Sequence, residues 1–485
     1  MNGAARVLIA PNLRRRALSL GAAKAVETAT QFLLPVVLTR CLDSATFGEY
    51  RLLWLAIGTV MALAPLNMPH SLFFFLPRSS PLQQRLYVHQ VMLFLALAGA
   101  LSALGVSAWN PWLPATLHRL AVYDPLVPLL VAIWVPAYLL DVLPLVDERV
   151  RWQASITIAL AAVRTVLLAL AALGGDLGVM LMVLVALALA KLALIVWYVR
   201  SHYGLGGRWM EKRAFADHLS HSLPIGLWAT LFQLRGQADQ WIAATRFALH
   251  SFAAFSIAAL LSPLVTLCRQ AVSEAFFPSM SRVQASGDAA GMLALNARAN
   301  VMVATLLCPV LGFAFAFAEE IITVIYTATY VEAAPVMRIY IIGLAGMVVE
   351  FGTLIQLLRM GPYAVATGSV TLGLSVALSW FGASAFGLTG AALGSVCAIF
   401  IERALIVGRI ASRTGIPLRR LQEWRNLAFL LVCGGVAALL AWLFVHARFG
   451  SYGPIVHLCI GGPVVAASFG LVYAVRFLPL RTAWR

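Results

Sequence analysis

Charge is what this sequence most lacks. Only 11% of its 485 residues are Asp, Glu, Lys or Arg and 61% are hydrophobic, whereas a soluble domain carries about 25% charged residues. A soluble fold so poor in charge would expose extended apolar surface, so a soluble enzyme is excluded. Long polar stretches are missing too, and no segment between the apolar runs could house a separate soluble domain of about 100 residues. There is no GxxxxGK(S/T) phosphate loop, no HExxH, no GxSxG and no His/Asp/Glu cluster at metal-ligand spacing. No catalytic residue, metal or cofactor is therefore expected, and the chain reads as something other than an enzyme. Six cysteines, Cys41, Cys268, Cys308, Cys397, Cys433 and Cys459, form neither a CxxC pair nor a metal spacing. They read as small apolar residues of buried helices.

Apolar runs of about 20 residues, the length that crosses a bilayer, recur along the whole chain. Fourteen spans are predicted, at 17–40, 51–76, 87–108, 126–146, 153–173, 177–199, 222–246, 252–273, 299–318, 335–357, 362–384, 388–411, 426–446 and 454–476. The expected class is an all-α integral membrane protein of about 14 transmembrane helices. The basic N-terminal stretch precedes a first span that is too long for a signal peptide and carries Lys24 and Glu27, so no cleavage is expected. The net charge of +16 does not imply nucleic acid, because the basic residues lie between apolar runs. Alternate connections collect 23 Lys and Arg against six on the opposite side, which by the positive-inside rule puts both termini in the cytoplasm.

An internal repeat is legible. The segment LTRCLDSATFGEY near residue 38 recurs as AATRFALHSFAAF near residue 243, and Tyr123 with Tyr330, Asp141 with Glu350 and Gly178 with Gly387 keep a nearly constant offset. Six spans separate the copies, so both insert in the same orientation. The expected organisation is an N-terminal six-helix bundle (1–200), a cytoplasmic linker (201–221), a C-terminal six-helix bundle (222–412), and two extra transmembrane helices with a cytoplasmic tail (413–485). Parallel repeats of this kind build transporters, with the substrate path between the halves.

Ionisable residues inside a span cost roughly 2.5–3.5 kcal/mol each on insertion scales, and they mark pathways or pairs. The basic ones are Lys24, Arg164, Lys191, Arg235, Arg269 and Arg403, and the acidic ones Glu27, Asp141, Asp239, Glu350 and Glu402. Lys24 with Glu27 and Arg235 with Asp239 are spaced i,i+3 and i,i+4, so each pair shares a helix face and is expected to neutralise itself. Glu402 and Arg403 are adjacent and need separate partners. Pro35, Pro65, Pro69, Pro136, Pro144, Pro263 and Pro309 predict kinks within spans. Asn67 and His70 flank one of them, and a lone histidine reads first as a hydrogen-bonded packing residue.

With these features assembled, the sequence resembles the polysaccharide-transport branch of the multidrug/oligosaccharidyl-lipid/polysaccharide (MOP) exporter superfamily, the O-antigen type flippases. The resemblance runs over about residues 17–412. It is carried by LPVVLTRCLDSATFGEYRLLWL, LRGQADQWIAATRFALHSFAAFSIAALL, AFFPSMSRV, FAEEIITVIYTATYVEAAPVMRIYI and FGLTGAALGSV. It implies a flippase that moves an undecaprenyl-diphosphate-linked oligosaccharide across the bacterial inner membrane by alternating access. The partners it implies are the lipid-linked oligosaccharide, membrane lipid and polysaccharide polymerase or ligase machinery, with no nucleic acid. Lys24, Arg164, Lys191, Arg235 and Arg269 are then the candidates for the substrate headgroup, since arginine meets a diphosphate bidentately. Glu27, Asp239 and Glu350 are the candidates for ion coupling. The alternatives are a multidrug cation antiporter or a lipid II flippase of the same superfamily, and, further off, a membrane-embedded glycosyltransferase or polymerase.

Overall fold

A computed structural model describes residues 11–259 and 261–477, with side chains from Ala25 onward apart from that of Ile225. All regular structure among the described residues is helical. This follows from the solvent: in hydrocarbon each backbone amide needs a partner within its own segment, and a helix supplies it. The chain divides into two compact units, Met1–Gln233 and Leu234–Arg485.

The first unit holds α1 (Pro11–Cys41), α2 (Ser44–Leu63), α3 (Met68–Phe75), α4 (Pro81–Val106), α5 (Leu126–Ala137), α6 (Leu139–Val146), α7 (Val150–Ala172), α8 (Leu177–His202) and most of α9 (Lys212–Arg235). The Asp43 carboxylate accepts the amides of Ala45 and Thr46 and so starts α2. Between α2 and α3 the chain follows Pro65 with Leu66 and Asn67 at φ 43° and 60°, a left-handed pair that breaks the span where the prolines predict a kink. The α5–α6 break at Tyr138 lies between Pro136 and Pro144. Leu72, Val88, Leu95, Leu139, Leu143 and Tyr198 form a shared core of α3, α4, α6 and α8.

The second unit holds α10 (Ala238–Arg246), α11 (Leu249–Ile257), α12 (Ser262–Ala285), α13 (Ala289–Ala316), α14 (Ala318–Ile325), α15 (Ala333–Met347), α16 (Gly352–Leu357), α17 (Gly361–Thr414), α18 (Leu418–Leu421), α19 (Trp424–Phe449) and α20 (Pro454–Phe477). The 54 residues of α17 are two helical arms joined at Gly387, whose φ of 63° and ψ of −143° leave the helical region. The arms fold back on each other: a Cβ on Gly390 would lie 1.9 Å from the Gly382 carbonyl oxygen, and one on Gly394 would lie 2.2 Å from the Ser379 nitrogen. Lipid offers helices no hydrophobic drive to associate, so close backbone approach through small residues supplies the dispersion contact. Gly312 and Gly434 do the same for α13 and α19, a Cβ on the first falling 2.5 Å from the carbonyl oxygen of the second.

Ten helical stretches among the described residues are long and apolar enough to cross a membrane, against the fourteen spans expected. The difference has physical causes. The span at 17–40 lies in α1, which carries Arg14, Arg15, Arg16, Lys24 and Glu27. The span at 222–246 is divided between α9 and α10, and α9 is polar at Lys212, Arg213, Asp217 and His218. The span at 335–357 is broken between α15 and α16, and those at 362–384 and 388–411 are the arms of α17. Residues 212–221, expected in a linker, belong to α9.

Candidate functional site

The second unit builds its most charged buried site around the break between α15 and α16. Where α15 stops at Met347, carbonyl groups lose their helical partners. Arginines replace them: Arg269 Nη1, from α12, donates to the Met347 carbonyl at 3.2 Å, and Arg403 Nη1, from the second arm of α17, donates to that of Val349 at 3.2 Å. Glu350 sits in this break, its carboxylate 2.9 Å from Arg269 Nε and within reach of the Gly352 amide. Asn300 fixes the turn by accepting the Glu350 amide at 2.9 Å, and its own amide donates to Gln422 at 3.1 Å. Asn296 donates to the Glu350 carbonyl at 3.2 Å.

Beside this break, Arg235 at the end of α9 lies 3.3 Å from Glu402, the residue preceding Arg403. Arg403 is in electrostatic contact with Glu350, Arg269, Glu402 and Arg235, so the five groups form one cluster of three arginines and two glutamates. Its side chains are largely buried, with 14% of Arg269 and 6% of Arg235 exposed. Five ionised groups at such a depth would cost on the order of 12–18 kcal/mol if unpaired. Their mutual pairing removes most of that and leaves one positive charge in excess. Arg403 Nε is buried with no protein acceptor, an N–H left for an anion.

Asp239 belongs to a separate network. Its carboxylate accepts the Tyr340 hydroxyl at 2.8 Å and the Gln240 amide at 2.8 Å, and it is 2% exposed. Next to the cluster, α13, α15, α17 and α19 line an open, mainly apolar groove of about 720 Å³, with Leu311, Phe315, Ile341, Phe400, Leu439 and Trp442 on its walls and Arg338 as its one charged residue.

The first unit repeats the arrangement with fewer charges. Its broken helix α5–α6 carries Asp141 just past the break, and Lys191 of α8 donates to it at 2.6 Å while standing over the Trp134 ring at 5.7 Å. Asp141 and Glu350, matched by the repeat offset, are thus each a carboxylate at a helix break met by a cation from another helix. A cavity of about 300 Å³ with mixed walls opens at the α2–α3 kink, where Asn67, His70, Tyr138, Thr230 and Gln233 stand among apolar residues such as Met61, Pro65 and Leu66. His70 faces this cavity rather than packing in the core, whereas the buried His218 lies 2.6 Å from the Ser71 hydroxyl.

Residues 37–335 match the polysaccharide biosynthesis protein family. The chain belongs to that family. No curated protein matches it in sequence. Among solved structures, the lipid II flippase MurJ in an inward closed conformation superposes with a TM-score of 0.64 over 95% of this chain and 99% of its own, at 11% identity. The MATE multidrug transporter DinF-BH gives a TM-score of 0.59 at 14% identity over 86% and 97%. A MOP superfamily transporter from Pyrococcus furiosus gives 0.55 at 12% identity over 82% and 95%. This polysaccharide biosynthesis family member therefore has the multi-pass helical fold shared by flippases and exporters of the MOP superfamily.

Of the headgroup candidates in this family member, Arg235 and Arg269 come together in the cluster, Lys191 pairs with Asp141 in the first unit, and the side chain of Lys24 lies outside the described residues. Arg164 is half-buried on α7, with its Nε lacking a protein acceptor. Of the coupling candidates, Glu350 is inside the cluster, Asp239 is bound by Tyr340, and Glu27 is half-exposed on α1. The expected Arg235–Asp239 pair is replaced by Arg235–Glu402, because the chain breaks between α9 and α10 and the two side chains no longer share a helix face. Glu402 and Arg403 do take separate partners. Tyr340, Asn296, Asn300 and Gln422 were not expected from the sequence. Asn296 and Asn300, two amides on one face at the start of an apolar helix, carried a readable signal. The structure also draws together Glu320, His446 and His457, although no metal spacing exists in the sequence, because they come from three different helices.

Proposed function

We propose that the protein is a flippase that carries an undecaprenyl-diphosphate-linked oligosaccharide from the cytoplasmic to the periplasmic leaflet of a bacterial inner membrane, by alternating access. In this reading both termini are cytoplasmic, the product feeds a polysaccharide polymerase or ligase, and the chain acts as a transporter and not as an enzyme. The observation that carries it is the excess of arginine in the buried cluster of Arg235, Arg269, Arg403, Glu350 and Glu402. A diphosphate offers more negative charge than a carboxylate and accepts several arginine donors at once. It can therefore displace Glu350 and Glu402 from the arginines they hold. Family membership supports a saccharide substrate, and the neighbouring, mainly apolar groove has the chemistry of a polyprenyl chain.

Arg235 and Arg269 take the headgroup in this account, with Lys24, Arg164 and Lys191 as further contacts. A carboxylate freed by the diphosphate can bind a cation, so Glu350, together with Asp239 and Glu27, supplies the coupling sites. A multidrug cation exporter fits the same fold, but an organic cation would meet three arginines at this site. The test is native mass spectrometry of the purified protein with a synthetic polyprenyl-diphosphate sugar and with the same sugar on a neutral lipid. Only the diphosphate is expected to bind, and Arg269→Ala is expected to weaken it by tenfold or more. Equal binding of the neutral lipid would overturn the assignment.

A further inference from the structure

We propose that Glu320, His446 and His457 form a binding site for a divalent cation of the zinc class that ties α14, α19 and α20 together. Glu320 stands in the first turn of α14, His446 in the last turn of α19 and His457 in the first turn of α20. A Glu320 carboxylate oxygen lies 3.1 Å from His446 Nε2 and 3.7 Å from His457 Nδ1. All three ligand atoms lie within 4.8 Å of one another. Tetrahedral zinc with bonds of about 2.0–2.2 Å sets its ligands about 3.4 Å apart, between the two distances found.

The far side of each ring decides what faces the carboxylate. His446 Nδ1 is 2.9 Å from the Trp442 carbonyl oxygen, and His457 Nε2 is 3.0 Å from that of Phe449. A carbonyl oxygen only accepts, so each ring donates its N–H there. The remaining nitrogens, His446 Nε2 and His457 Nδ1, are the ones turned toward Glu320. In neutral rings these carry lone pairs, and two lone pairs set against a carboxylate repel. Glu320 is 8% and His457 7% exposed, whereas the His446 side chain is 32% exposed, so water can relieve that only from the His446 side. A divalent cation at the centre turns all three contacts attractive. The backbone carbonyls behind both rings are the orienting partners that metal-bound histidines characteristically use.

Two imidazoles and one carboxylate select zinc, copper or nickel over calcium and magnesium, which take oxygen ligands. The Trp442 ring packs against His446 at a tilt with ring centroids 4.3 Å apart, and the Phe317 ring lies 6.4 Å from it, so aromatic side chains flank the site. Gly461 lets α20 approach closely enough that a Cβ there would lie 2.6 Å from the Phe317 ring. The ion would therefore fasten the last two helices to the rest of the second unit.

The test uses the purified full chain in detergent, stripped with EDTA and titrated with Zn2+ by calorimetry, which needs no transport substrate. One Zn2+ per chain is expected, with a Kd of micromolar or tighter. Glu320→Gln and His457→Gln should each weaken it by more than the roughly 10–100-fold that loss of an orienting partner behind a ligand costs, while excess Mg2+ leaves it unchanged. On the wild-type protein, Co2+ should give the visible bands of a low-coordinate nitrogen and oxygen site. Absence of Zn2+ binding, binding that survives His446→Gln/His457→Gln, or a sulfur-to-cobalt charge-transfer band would each overturn the proposal.

Discussion

The carboxylate of Glu402 lies 3.3 Å from the Arg235 guanidinium, joining the end of α9 to the second arm of α17. Removing one member of a buried pair strands the other and costs about 3–5 kcal/mol, whereas removing both is far milder. Arg235→Ala alone should therefore lower the amount of folded protein recovered from membranes, and Arg235→Ala/Glu402→Ala should restore it. Flipping should remain lost in the double variant if Arg235 holds the headgroup as proposed. A double variant that is both abundant and fully active would make the pair purely structural.

The turn at Gly387 depends on a backbone conformation that only glycine adopts readily. Gly387→Ala should lower stability by about 1–3 kcal/mol, read as a fall in melting temperature in detergent. Gly408 lies in the same helix, and a Cβ added there would meet nothing within 4 Å, so Gly408→Ala should be neutral or slightly stabilising, because alanine restricts the unfolded chain.

Asp43 gives a pH-dependent prediction outside the membrane spans. The Thr46 hydroxyl, aided by the amides of Thr46 and Ala45, holds its carboxyl below the ordinary carboxylate range. A depressed folded value means the contribution is complete above the unfolded value of about 3.9 and is lost as pH falls through the folded value. Asp43→Ala should cost about 0.5–2 kcal/mol at pH 6 through loss of the cap. The gap in melting temperature between it and the wild type should narrow toward pH 3.

How much of this was legible depended on whether a feature was local. Apolar runs and prolines located the helices, and the kink at Leu66–Asn67 fell where Pro65 and Pro69 stood in the sequence. The repeat offset linked Asp141 with Glu350, and both proved to be carboxylates at broken helices. Pairing was less readable: the spacing of Arg235 and Asp239 assumed one continuous helix, and the break at 236–237 turned Arg235 toward Glu402. The Glu320–His446–His457 convergence left no local trace, since it depends on how α19 and α20 pack against α14.

The excess of Lys and Arg on alternate connections predicts the orientation. In a variant lacking the native cysteines, a cysteine placed at Glu332 should react with a membrane-impermeant maleimide applied to intact cells, and one placed at Arg208 should not. The opposite pattern would invert the topology.

The central claim is that an arginine-rich buried cluster carries a lipid-linked diphosphate across the bilayer. Its most direct test is reconstitution of the purified protein into liposomes with a polyprenyl-diphosphate oligosaccharide, following the fraction of sugar accessible to an external glycosidase. With no phosphate-loop motif for ATP, the expected result is flipping that needs no ATP, responds to an imposed proton or sodium gradient, and falls at least tenfold in Arg269→Ala. Liposomes in which the oligosaccharide crosses no faster than in protein-free controls, under any gradient, would contradict it.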